Sequence, residues 1–88
     1  MNRLIVLATH MQALQAVHGA IGEDVTRYAS QLQWRHDDGG FTQFAAVEHR
    51  DFLDRLRGLP YDIVEWRCEV TQELRAEVLA LTRAKEAA

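Results

Sequence analysis

The stretch Leu4-Ile5-Val6-Leu7-Ala8, followed at once by Thr9, decides how this chain folds. Five consecutive apolar residues leave no polar side, so a strand made of them must be covered on both faces. Such a strand sits inside a sheet, and the rest of the chain must supply its neighbours and covers. Thr9 ends it and opens a helix, because Gln12 three residues on completes a Thr-X-X-Gln capping box. Met11, Leu14, Val17 and Ile21 recur at helical spacing as one apolar stripe, with His10 and His18 falling within it. Gly22 is a natural stop. Residues 23–30 read either as a second short helix capped by Asp24 or as an ordered connection.

Gln31-Leu32-Gln33-Trp34-Arg35 alternates, with Leu32 and Trp34 on one face. His36-Asp37-Asp38-Gly39-Gly40 follows, and its Asp-Gly step predicts a hairpin, since such turns need positive φ. The returning strand, 41–47, places Phe41, Ala45 and Val47 on one face and Thr42, Phe44 and Ala46 on the other. It is the more apolar of the pair, so it belongs inside the sheet and its partner at an edge. A helix over 49–57 carries Phe52, Leu53 and Leu56 inward; Gly58 ends it and Pro60 prevents continuation. Residues 61–67 read as the last strand. A final helix over 70–85 aligns Val70, Leu74, Val78 and Leu81, with Leu79 on its opposite side.

The order strand, helix, strand, strand, helix, strand matches the split βαβ pattern. The expected fold is therefore a single α+β domain over 1–88: a ferredoxin-like βαββαβ four-stranded antiparallel sheet with an additional C-terminal helix. Right-handed crossovers would put both internal helices on one face. The other face would need the last helix or a second subunit.

With 88 residues, a net charge of -3 and 48% hydrophobic content, the chain reads as one small globular domain. Stability near 4–13 kcal/mol, from about 0.05–0.15 kcal/mol per residue, makes uncovered apolar surface costly and favours a homodimer. The acidic balance (sequence pI ≈ 5.7) argues against non-specific nucleic-acid binding. A lone cysteine, Cys68, excludes a disulfide framework and a zinc finger. The apolar start is too short to span a bilayer and lacks the layout of a secretion signal, so a cytoplasmic setting is expected.

No stretch carries an identifiable chemistry: there is no phosphate loop, dinucleotide fingerprint, nucleophile elbow or zinc-protease helix. No catalytic residue, metal ligand or cofactor is therefore expected. His10 and His18 lie about 12 Å apart along their helix, too far to share a metal. His36 with Asp37 and Asp38 offers metal-type ligands that turn chemistry explains equally. His49 shows no partner. Asp51 and Asp54 are interleaved with Arg50, Arg55 and Arg57 and read as an ion-paired surface. Gly40-Phe41-Thr42-Gln43-Phe44-Ala45-Ala46-Val47 resembles the glycine-aromatic motif of RNA-recognition domains, which stack bases on such aromatics. It departs from that motif at Gly39, where a basic residue is usual, and at Gln43, where an aromatic is. The element order alone also resembles the ligand-binding ACT domains.

The expectation is a non-enzymatic protein-interaction module that first binds itself. Phe44, Trp66, Leu74, Val78, Leu79 and Leu81 are its candidate interface residues. The size and arginine bias (only Lys85 is lysine) would also suit a small phage or mobile-element protein that binds a host factor. Small-ligand binding and RNA binding are the alternatives.

Overall fold

The computed structural model describes residues 1–21, 32–36 and 38–87. The Gly22 stop, the connection over 23–30, Gln31 and Asp37 lie outside the described residues. Eight elements follow in order: β1 Arg3–Leu7, α1 His10–Ile21, β2 Gln33–Arg35, β3 Phe41–Ala46, α2 Phe52–Leu56, β4 Ile63–Trp66, α3 Gln72–Thr82 and β5 Lys85–Glu86. The sheet runs β2-β3-β1-β4-β5. β1 pairs in parallel with both β3 and β4, β4 pairs in parallel with β5, and only β2–β3 is antiparallel. Over the described residues the protein is thus a small α+β domain with a five-stranded, mostly parallel mixed sheet and three helices.

This overturns the ferredoxin-like expectation, and apart from the added β5 one change accounts for it. β1 and β3 are interior and β2 is an edge, as the hydrophobicity of those strands requires. The β2–β3 hairpin, however, enters end-for-end, so β3 runs parallel to β1 instead of antiparallel. The chain moves one way across the sheet from β1 to β3 and back over β1 to reach β4. With β1, β3 and β4 all parallel, right-handed connections place the intervening helices on opposite faces. Burial shows this division. Ile5 and Leu7 of β1 pack with Ala13 and Val17 of α1, while Leu4 and Val6 pack with Phe52 and Leu56 of α2 and Val78 of α3. Both faces of the β1 run are covered by the chain's own helices. The ferredoxin-like sheet of RNA-recognition and ACT domains is therefore not the sheet of this chain.

Local signals are realised closely. Thr9 Oγ1 accepts from Gln12 N at 3.2 Å, and Gln12 Oε1 accepts from Thr9 N at 3.3 Å, which closes the capping box. Gly39 (φ +89°) supplies the hairpin's positive φ, and Gly58 (φ +80°) follows α2. The faces of β3 divide as read, with Phe41, Ala45 and Val47 on one side and Phe44 and Ala46 on the other.

Other details differ. The buried line of α1 is Ala13 and Val17 with Leu14 and Ala16 beside them, and Met11 is 61% exposed. His10 and His18 are exposed rather than within the stripe. α2 is shorter than the pattern over 49–57, spanning Phe52–Leu56. α3 begins at its cap, Thr71, whose Oγ1 accepts from Leu74 N, and ends where Arg83 adopts a left-handed conformation (φ 54°). Beyond that break the chain adds β5, where a continued helix was expected. Lys85 N donates to Asp62 O and Ala87 N to Val64 O. A two-residue strand has no hydrophobic period, so nothing in the sequence announces it.

Candidate functional site

The sheet face beneath α1 holds a concave surface. Trp34 of β2, Thr42 of β3 and Arg3 of β1 form one cross-strand row, in register and on the same face. In the next row Phe44 lies beside Ile5, and Ile5 beside Glu65 of β4. α1 lies over β3 and β2 and touches β1. A groove of about 840 Å³ opens beside it, within the size range of small-molecule sites. Ile5 and Phe44 form its floor, and Ala16 and Gly19 of α1 line one side. Trp34, His36 and Thr42 line the hairpin end, and Arg3 and Arg67 the other.

The polar groups are fixed. Glu65 accepts from Arg67 Nε and lies 3.6 Å from Arg3 Nη1, so two guanidiniums share one carboxylate. His36 Nε2 and Thr42 Oγ1 are 2.8 Å apart, and the His36 ring stands edge-on to Trp34 at 4.7 Å. Asp38 Oδ1 accepts from Gly40 N at 2.9 Å. That backbone donor holds the Asp38 carboxyl below its ordinary range, with nearby positive charge helping.

Thr42, His36 and Asp38 follow the order of a nucleophile, base and orienting acid, but the geometry is structural. Asp38 Oδ1 is 3.8 Å from His36 Nδ1, beyond hydrogen bonding. The Asp38 carboxylate is spent on Gly40 N, and Thr42 is buried on a strand. The trio staples the hairpin and holds the aromatic wall in place.

The carboxyl ends of parallel strands are the usual ligand site of doubly wound sheets. Here His10 and His49, unrelated by sequence spacing, meet with ring centroids 4.9 Å apart. His49, without a partner in the sequence, also has Arg55 Nη1 3.4 Å from its Nδ1. Glu48 Oε1 accepts from His10 N at 2.9 Å, so the chain's own carboxylate occupies the α1 N-terminus. No group of three His, Cys, Asp or Glu among the described residues is placed to hold a metal ion. Cys68 is half-buried, and burial pushes its thiol up, away from reactive thiolate. Asp51 and Asp54 pair with Arg55 and Arg57, as the sequence indicates.

The candidate interface residues divide between the two faces of the sheet. Phe44 (2% exposed) lies under α1 and floors the groove, and Val78 (0%) is in the core beneath α3. Trp66, Leu74 and Leu79 are partly buried against that same core. Leu79 is therefore not on an unneeded outer side of α3. Leu81 is half-buried. Trp66 Nε1 donates to Glu86 Oε1 at 3.1 Å, and the Arg75 guanidinium lies 5.3 Å from its ring centre. The two aromatics of the RNA-type motif offer no face to a base: Phe41 packs edge-on to Tyr61 at 5.7 Å, and Phe44 is covered.

Sequence reasoning missed Arg3, Arg67, Trp34 and Thr42 as a set. Alternation showed the face of Trp34, but the row exists only once β3 is paired in parallel with β1. No described helix is long and apolar enough to cross a membrane. Comparison with known proteins finds no family model, no curated protein and no solved structure that matches this chain.

Proposed function

We propose that this chain is a non-enzymatic small-ligand-binding module whose site is the groove beside α1. The observation that carries it is the combination of an apolar floor, Ile5 and Phe44, with a pre-set aromatic corner, Trp34 against His36. Ligand sites are mostly apolar hollows with a few convergent polar groups, and this one has that make-up. α1 covers one face of the sheet and α2 with α3 the other, so covering the sheet does not require a second subunit.

The test is a titration with 2-naphthamide, a neutral two-ring probe, followed by amide and indole shifts in a ¹H–¹⁵N spectrum. Shifts confined to Ile5, Thr42, Phe44 and the Trp34 indole are expected, and Trp34→Ala should abolish them. Shifts scattered over the surface, or none at about 1 mM probe, would refute the proposal.

A further inference from the structure

We infer that the groove takes a planar aromatic anion, its rings against Trp34 and its acidic group at Arg3 and Arg67. This rests on the small-ligand reading and narrows it. The chain is acidic overall, at a net charge of -3, so a cationic site runs against its general sign. Arg3 and Arg67 share the single carboxylate of Glu65, which leaves one positive charge in excess. Their side chains are 43% and 48% exposed, so their remaining N–H donors stay accessible. A guanidinium meets a carboxylate or phosphate with two parallel N–H bonds, which suits it to oriented anions.

The opposite end is built for a ring. His36 is tied to Thr42 and stands edge-on to Trp34 at 71°, so the wall is set before any ligand arrives. Preorganisation of this kind lowers the cost of binding. The floor between the ends, Ile5 and Phe44, carries no charge. Trp34, Thr42 and Arg3 stand on three adjacent strands in register. At about 4.8 Å per strand, the Trp34 and Arg3 backbones lie about 10 Å apart. A two-ring aromatic with one acidic substituent spans that distance.

The acidic group is a carboxylate or a phosphate ester, which offer the guanidiniums the same acceptor geometry. Calorimetric titration with 2-naphthoate, 2-naphthyl phosphate, 2-naphthamide and acetate separates the cases. At least one aromatic anion should bind about tenfold or more tightly than the amide, and the tighter anion identifies the acidic group. Acetate alone should not bind measurably. Arg67→Gln and Arg3→Gln should each erase most of that preference without weakening the amide, and Arg67→Lys should retain part of it. Equal affinity for the anions and the amide would overturn the anion inference and leave the groove reading standing. So would an undiminished preference in the glutamine variants. No binding by any aromatic probe would overturn both. If Arg3→Gln does not fold, Arg67→Gln decides alone, since Arg67 lies beyond β4 on a half-exposed side chain.

Discussion

Tyr61 enters the core just ahead of β4, 5% exposed, with its ring edge-on to Phe41. Its hydroxyl is buried and has no hydrogen-bond partner among the described residues. In the unfolded chain that hydroxyl is hydrated, so folding strips it of water without replacement, at a cost of about 1–3 kcal/mol. Tyr61→Phe removes the cost and keeps the ring, while losing a few dispersion contacts of one oxygen atom. The expected net gain is about 1 kcal/mol, or a rise in Tm of about 4–8 °C for a domain of this size.

Urea denaturation at pH 7 measures the first quantity, and the alkaline arm supplies an independent check. Burial raises the Tyr61 phenol above its ordinary pKa of 10.0. The unfolded chain therefore loses this proton first as pH rises. Stability from the neutral phenol is fully present below pH about 10 and declines above it, by up to about 1.4 kcal/mol per pH unit. Tyr61→Phe should lack that decline. A variant less stable than wild type by 1 kcal/mol or more, about the worth of one hydrogen bond, would refute the reasoning: the hydroxyl would then have a partner.

Further consequences can be checked the same way. Gly40→Ala places a Cβ 2.5 Å from Met1 O and 2.8 Å from Met1 N, both backbone. The start of the chain must shift, with an expected loss of about 1–3 kcal/mol in urea denaturation. Val78→Asp buries a charge beneath α3 and should cost more than about 3 kcal/mol, whereas Leu81→Asp should cost less than about 1 kcal/mol; comparable losses would contradict this placement of the α3 face. Glu86→Ala removes the acceptor shared by Trp66 Nε1 and Arg75. It should change global stability by less than about 1 kcal/mol yet speed amide exchange at Lys85 and Ala87, because it loosens β5 alone.

Much of the fold was legible in the residues. The continuous apolar run of β1 required a two-sided interior strand. The Thr9–Gln12 box, the Asp38-Gly39 turn and Gly58 marked boundaries through backbone geometry that only nearby residues govern. The alternation of β3 assigned its side chains to faces. The candidate site was not legible, because Trp34, Thr42 and Arg3 become neighbours only through strand pairing. Likewise, His10 and His49 meet only because β1 and β3 end side by side.

By itself, then, the sequence determined the elements from β1 to α3, their order, and that β1 and β3 are interior, since these follow from periodicity and local backbone preference; β5, which makes β4 interior too, left no such signal. Tertiary structure alone decided the direction in which the hairpin enters. Reversing the hairpin turns its faces over but keeps its central strand, and β3 is apolar on both faces, so the hydrophobic pattern accepts either direction. No hydrophobic pattern in residues 23–30 chooses between the two directions. From that one choice follow the parallel sheet, the helices on opposite faces, and the row that carries Trp34 to Arg3.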